Sequence, residues 1–166
     1  MEFTEAKKTF INTWGELGLN WGVNRAMGHI HALLIISPHE LSADEIMSEL
    51  KISRGNANMN LRALMEWQLV YRKSKPGERK DFFSAEKNLW NVFKKTLSKR
   101  KTKELNPMLH MIKNVQGVVP INEYAEEFNR VIKELEMISS AADKALDKLI
   151  QSESNFFLNS FVKVMR

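Results

Sequence analysis

Two closely spaced helix-start signals constrain the fold of this 166-residue chain more than any other feature of its sequence. Ser42 lies three residues before Glu45, which is the spacing of a reciprocal capping box. Ser53 is a second N-cap candidate, and the helix that it opens is predicted to continue to about residue 67. A further helix is predicted just before this pair, over residues 23–36.

A hairpin signal follows these helices directly. Residues 69–74 and 80–84 contain strand-forming Val, Tyr and Phe side chains, and Pro76-Gly77 between them is a turn signal. Helices followed in this order by a hairpin are typical of a winged helix-turn-helix, and residues 23–85 supply every part of it.

Helices are also predicted on both sides of this motif, from apolar residues at helical spacing. The first covers about residues 4–17. After the hairpin we expect a Lys-rich helix over 85–105, a short helix over 107–115 and a long helix over 122–150. The predicted fold class is therefore mainly α with a small β-hairpin wing.

The long predicted helix carries apolar residues at alternating steps of three and four, which is typical of a heptad seam. A helix of about 29 residues would be on the order of 40 Å long, too long for a domain of this size to cover. We interpret the seam as a homodimer contact, and the alternative is packing on the other C-terminal helices of the same chain. The residues assigned to dimerisation are Phe128, Val131, Leu135, Ile138, Ala142 and Leu149.

Three segments follow from these elements. Residues 1–20 form an N-terminal helix with an expected role in dimerisation, and residues 21–90 form the winged helix-turn-helix. Residues 91–166 form a helical dimerisation region that is also the candidate effector region, and residues 154–165 are expected to cap its bundle. The winged helix-turn-helix is thus expected to be flanked by N- and C-terminal dimerisation helices.

Positive charge is concentrated in one third of the chain. Residues 51–103 contain 15 Lys and Arg against four acids, whereas the rest of the chain contains 10 against 16. Such a block indicates a polyanionic partner, with nucleic acid ahead of an anionic membrane surface. We expect no membrane association and a cytoplasmic location, because the longest apolar stretch is residues 32–36, no signal peptide is visible and the chain has no cysteine.

The helix that begins after Ser53 is the predicted recognition helix. If Ala57, Leu61 and Leu64 face the core, steps of about 100° per residue place the other side chains on an exposed face or at its edges. Arg can bond guanine bidentately and Asn can do the same with adenine, so these residue types suit the major groove, although an ordinary polar face is the alternative. The candidate DNA-binding residues of this helix are Ser53, Arg54, Gly55, Asn56, Asn58, Met59, Asn60 and Arg62.

The predicted wing adds four cationic candidates. Arg79 lies at its tip, backed by Lys75 and Lys80, where the three can reach a minor groove or its phosphates. Arg72 is the fourth, although strand alternation directs either Arg72 or Lys73 away from the DNA.

Four ordered segments carry a resemblance to a known family, namely residues 21–34, 41–46, 53–67 and 75–83. Together they resemble the GbsR family of MarR-like transcriptional regulators. The resemblance implies a dimeric cytoplasmic regulator, often a repressor, that binds operator DNA with the Ser53 helix and the wing. Some members sense choline or related osmolyte precursors.

An aromatic cage for such a cation would need residues such as Trp14, Trp21, Trp90 and Phe93 to meet. Aromatic residues at helical spacing are more often part of a core. A small-molecule effector therefore stays open, and none is assigned.

Enzymatic motifs do not occur in the sequence: it has no phosphate-binding glycine loop, no Gly-x-Ser-x-Gly and no His-Glu-x-x-His. His29 and His31 fall on different helix faces, so no metal pair is expected. We therefore predict neither an enzyme nor a cofactor, but a homodimeric transcriptional repressor on a palindromic operator in double-stranded DNA. The alternatives are a winged-helix module for protein interaction or RNA binding, and a Lys-rich helix that lies on anionic lipid.

Overall fold

The chain forms two units that follow one another in sequence. A computed structural model describes residues 1–20 and 22–153, so that Trp21 and the predicted capping segment 154–165 lie outside the described residues. The first unit is Met1–Val92, and the second begins at Phe93. Within the described residues, no helix is long and apolar enough to span a membrane.

The first unit contains four helices and a small antiparallel sheet. The sheet has the strand order β1-β3-β2, and β2 and β3 form the predicted wing. The predicted mainly α fold with a β wing is confirmed. The elements are α1 (Phe3–Asn20), α2 (Arg25–Ile36), β1 (Leu41–Ser42), α3 (Ala43–Leu50), α4 (Arg54–Glu66), β2 (Val70–Ser74) and β3 (Asp81–Ala85).

Both predicted helix starts are confirmed. Ser42 Oγ accepts from the Glu45 backbone N–H at 3.3 Å, and Glu45 Oε2 accepts from the Ser42 backbone N–H at 2.7 Å. Ser53 Oγ accepts from the Asn56 backbone N–H at 3.3 Å. The sequence did not predict β1, a two-residue strand that pairs with Phe82 and Phe83.

Helix α2 lies at the centre of the first unit and crosses α1 at two glycines. Large core side chains, among them Ile30, Leu34 and Ile46, are fully buried around it. At the crossing, a Cβ added to Gly28 would lie 2.8 Å from the Cα of Gly15, closer than real Cβ atoms come. The two backbones therefore touch, and α1 belongs to the first unit. A role of α1 in dimerisation stays a prediction.

His31 is a buried titratable side chain on α2, with 5% of its surface exposed. Trp14 Nε1–H donates to His31 Nδ1 at 3.4 Å, and the other ring nitrogen has no hydrogen-bond partner among the described residues. Burial lowers the pKa of His31 to about 4, so the ring is neutral at neutral pH.

The second unit is helical and departs from the prediction in two places. Its elements are α5 (Leu89–Arg100), which begins at the end of the first unit, a π turn (Lys101–Leu105), α6 (Asn106–Val115) and α7 (Glu123–Gln151). The first helix was predicted to begin at 85, but Ala85 is still paired with Val70 in the sheet, and the Asn88 side chain caps α5 instead. These local partners explain the later start.

The predicted break before Pro107 is also wrong, because the helix continues through it. Arg100, Leu105 and Asn106 keep helical backbone angles, and the Asn106 N–H donates to the Lys101 carbonyl five residues back. Pro107 lacks an N–H, and a local widening of the helix removes the need for the bond that it cannot make.

One face of helix α7 packs against other residues of its own chain. Ile132 and Ser139 are buried, and Lys101 forms ion pairs with Asp143 (2.9 Å) and Asp147. The predicted seam lies about 90° around the helix from this face, at about 100° per residue. Much of the seam is exposed, since Phe128 is 41% and Ile138 57% exposed in the single chain. Packing among the described residues therefore leaves much of the seam available.

His31→Gln is expected to reduce the loss of stability on acidification. The pKa of His31 is about 4 in the folded state against an ordinary value of 6.5, so the unfolded state binds more protons between these values. The free energy of unfolding should then fall as the pH drops through this window, by about 2–3 kcal/mol between pH 7 and pH 4.5. Gln accepts a hydrogen bond from Trp14 without titrating and should remove this loss.

Urea unfolding at the two pH values measures the effect. His110→Gln, at an exposed histidine, is the control and should keep the full loss. Equal losses in the wild type and in His31→Gln would contradict the assignment.

Candidate nucleic-acid interface

Helix α4 presents a polar face built around its first two turns. Most of its residues are exposed to solvent, and Asn56 is half-buried. The exposed residues are Ser53, Arg54, Gly55, Asn58, Met59 and Arg62. Met59 is the apolar member of the face and is 61% exposed. The opposite side is held in the core by Ala57, Leu61 and Leu64. The N-terminal backbone N–H groups of α4 lie beside the exposed face, which suits an anionic partner.

The prediction that Asn60 belongs to this face is wrong. Asn60 is only 1% exposed. It lies about 60° from Ala57 around the helix, which places it at the edge of the core. Its side chain accepts from Asn24 Nδ2 at 2.7 Å and donates to the Asn56 backbone carbonyl at 2.9 Å. No sequence pattern points to the partner Asn24, which lies 36 residues away.

The turn of the wing has the geometry that Pro76-Gly77 predicts. Gly77 has φ +80°, in the left-handed region, and the Glu78 N–H donates to the Lys75 carbonyl at 3.1 Å. A positive φ at the third residue of a turn is typical of type II, where glycine is favoured. Arg79 follows immediately and is exposed at the end of the wing.

Lysines of the wing are held by an acidic residue outside it. Glu40, in the loop before α3, pairs with Lys73 at 3.0 Å and with Lys75 at 3.6 Å. These hydrogen bonds and charges, that from Lys73 first, lower the pKa of Glu40 to about 2. Lys75 and Lys80 also lie over the Phe82 ring, at 4.0 and 5.4 Å from its centroid. Neither the role of Glu40 nor its ion pair with Lys73 was predicted from the sequence.

The four arginines of α4 and the wing differ in whether they form an ion pair. Arg54 pairs with Asp44 at 2.9 Å, and Arg72 pairs with Asp81 at 3.4 Å. Arg62 and Arg79 are exposed and form no ion pair with any of the residues 1–20 and 22–153. Lys73 pairs with Glu40, and which of Arg72 and Lys73 faces DNA stays a prediction.

Metal binding finds no support in this region. Among the described residues, no group of three or more His, Asp or Glu side chains is arranged to hold a metal ion.

Comparison with protein families finds one match, in the central part of the first unit. Residues 21–81 match the MarR family. This segment runs from the residue before the α1–α2 turn to the start of β3, and it includes the whole of α4. No curated protein matches the chain.

Two solved structures are similar to this chain. One is described as a transcriptional regulator, with a TM-score of 0.64 and 15% identity over 87% of this chain and 95% of that one. The other is a mutant of S. aureus MepR bound to an oligodeoxyribonucleotide, with a TM-score of 0.42 and 15% identity over 83% of this chain and 91% of that one. The first likeness shows the fold alone, and the match to the MarR family is limited to residues 21–81, which contain most of the winged helix. The narrower resemblance to GbsR stays a prediction.

Glu40→Gln is expected to strengthen binding of the wing to a polyanion. The substitution removes the carboxylate that Lys73 and Lys75 share, and both ammonium groups then become available to other anions. The salt concentration needed to elute the protein from a heparin column should rise.

Glu49→Gln is the matched control for this measurement. It removes the same charge from an ion pair with Lys7 of α1, so it should raise the elution salt less. Equal shifts in the two variants would show that only net charge matters.

Proposed function

We propose that this chain is a transcriptional repressor of the GbsR type that binds a palindromic operator as a homodimer in the cytoplasm. The observation that carries the proposal is the exposed face of α4, where Arg62 forms no ion pair within the described residues and lies among side chains able to bond base edges. The match of residues 21–81 to the MarR family supports it.

The wing supplies the second contact. Arg79 is exposed at its end, and Lys75 and Lys80 stand behind it around the Phe82 ring. Contacts of this kind go to the phosphates or to the minor groove and fix the position of the recognition helix. Base reading is thus assigned to α4 and positioning to the wing.

A second copy of the chain is the partner that the seam of α7 fits. The seam is apolar and exposed, and it runs along a helix of 29 residues beside the face that packs within the chain. In a two-fold dimer, the two α4 helices would enter successive major grooves about 34 Å apart, or a multiple of this. A ligand that changed the dimer region would change this spacing and so the affinity for the operator, although no effector is assigned.

Fluorescence anisotropy tests the function. The purified protein is titrated with the duplex upstream of its own gene and with a scrambled duplex, at about 50 and 200 mM salt. Binding that is tighter to the upstream duplex by a factor of ~10³ supports a repressor of its own gene. No binding even at low salt would favour the protein-interaction module, for which the exposed Met59 is the supporting observation.

Arg62→Ala and Arg79→Ala are expected to have different effects. Loss of a base contact by Arg62→Ala should cost about 1–3 kcal/mol on the operator and relax sequence preference. Loss of a phosphate contact by Arg79→Ala should weaken binding to operator and scrambled DNA alike, and should lower the salt dependence.

Arg130→Ala is the control for charge, because Arg130 lies on α7 and pairs with Glu127 and Glu134. It should leave both affinities nearly unchanged. Losses from Arg62→Ala and Arg79→Ala that are equal and blind to sequence would remove the base-reading role.

Ile138→Glu is expected to dissociate the dimer. The substitution places a charge in the apolar seam, where Ile138 is 57% exposed in the single chain. Met137→Glu is the matched control, since Met137 is more exposed, at 66%, but lies outside the seam. Sedimentation velocity should show monomers for the first variant and dimers for the second. Dimers in both would move the interface elsewhere.

A further inference from the structure

A chain of three asparagines connects the start of α2 with the exposed side of α4. Asn24 is the N-cap of α2, and Asn56 and Asn60 lie one turn apart on α4. We call these three residues the asparagine relay. The orientation of each amide group within it is set by its neighbours.

The first link fixes the Asn24 amide. The Met27 backbone N–H donates to Asn24 Oδ1 at 2.9 Å, and only an oxygen can accept this bond. Asn24 Nδ2 is therefore left to donate, and it does so to Asn60 Oδ1 at 2.7 Å. The Asn60 oxygen is thus committed to Asn24.

The hydrogen bonds between Asn60 and Asn56 require the same orientation of the Asn60 amide. Asn60 Nδ2 donates to the Asn56 backbone carbonyl at 2.9 Å and also to Asn56 Oδ1. A backbone carbonyl can only accept, so the Asn60 amide cannot be reversed from this side either. Asn56 Oδ1 is consequently held against Asn60, which is buried.

The remaining end of the Asn56 amide is its Nδ2 group. This group has no acceptor among residues 1–20 and 22–153. Asn56 is the third residue of α4, in the first turn, and the N-terminal residues of a recognition helix are the ones that meet base edges.

We propose that Asn60 is a positioning residue that makes Asn56 a hydrogen-bond donor towards DNA. The inference rests on the proposed function. Asn56 Nδ2 then pairs with an acceptor in the major groove, which guanine (N7 or O6), thymine (O4) and adenine (N7) present and cytosine does not. The bidentate pair with adenine needs both ends of the amide, and Asn60 occupies one of them. The sequence-based expectation of an Asn–adenine pair is therefore withdrawn for Asn56.

Hydrogen exchange of the side-chain amides tests the relay without DNA. In NMR spectra of the full chain, the Asn60 side-chain NH₂ protons should exchange at least about tenfold more slowly than those of Asn56. Asn56 should exchange like Asn58, which is exposed on the same helix. The side-chain NH₂ resonance of Asn56 is the one that disappears in Asn56→Asp, and that of Asn60 is the one that disappears in Asn60→Asp. Protection of Asn56 equal to that of Asn60 would overturn the proposed orientation.

Selection from a pool of randomised duplexes tests the reading role. The base pair that Asn56 reads is the one whose preference disappears in Asn56→Ala. The wild type should disfavour cytosine there by about 3- to 10-fold relative to the other three bases, the effect of one hydrogen bond. In Asn60→Asp the buried carboxylate only accepts, so the Asn56 amide should turn and the preference should move to adenine or cytosine at this position alone.

Asn58→Ala is the matched control and should keep the discrimination against cytosine. If Asn60→Asp does not fold, Asn56→Asp makes the same change from donor to acceptor while its carboxylate still accepts from Asn60. A wild type that favours cytosine at this position would overturn the proposal. The proposal would also be overturned if Asn60→Asp weakened binding to all duplexes by the same factor and left the base preference unchanged. A wild type that selects no duplex would overturn the proposed function, and the exchange experiment would still decide the orientation of the relay.

Discussion

The enclosure of α2 is the constraint on which the rest of the first unit depends. Most of this helix, from Met27 to Leu34, is buried, and α1, α3, α4 and β3 all pack on it. A buried helix needs partners for the backbone groups at both of its ends. Asn24 supplies one at the N-terminus, where its side chain accepts from Met27.

Lys87 supplies the partners at the other end of α2. Its ammonium group donates to the carbonyl oxygens of Leu34 (2.6 Å), Ile35 (2.8 Å) and Ser37 (2.6 Å). Burial removes water from the ammonium group and lowers the pKa of Lys87. The negative end of the α2 helix dipole favours a cation at this position. Because Lys87 directly follows the wing, the sheet and the end of α2 are stabilised together. The electrostatics of the interface are arranged on this scaffold, with lysines of the wing paired to Glu40 and with Arg62 and Arg79 exposed.

Much of the fold could be predicted because its signals are local. The Ser42 capping box, the Ser53 cap and the wing turn each depend on residues a few positions apart, and all three occur. The exposure of Arg62 and Arg79 was also predictable from helical spacing and from the turn, while their roles stay predictions. The errors within the candidate interface concern partners that are distant in sequence. Nothing near Asn60 indicates that its amide bonds to Asn24, and the carboxylate that holds Lys73 lies 33 residues before it.

The glycine contact between α1 and α2 has a consequence for how the chain folds. Gly15 and Gly18 both lie in the second half of α1, and a glycine inside a helix costs about 1 kcal/mol relative to alanine. Alone, α1 would therefore be a weak helix. The contact with Gly28 is made by backbone atoms and costs no side-chain rotamer freedom. Helix formation in α1 is thus coupled to docking on α2, so the stability of this segment depends on a contact outside it.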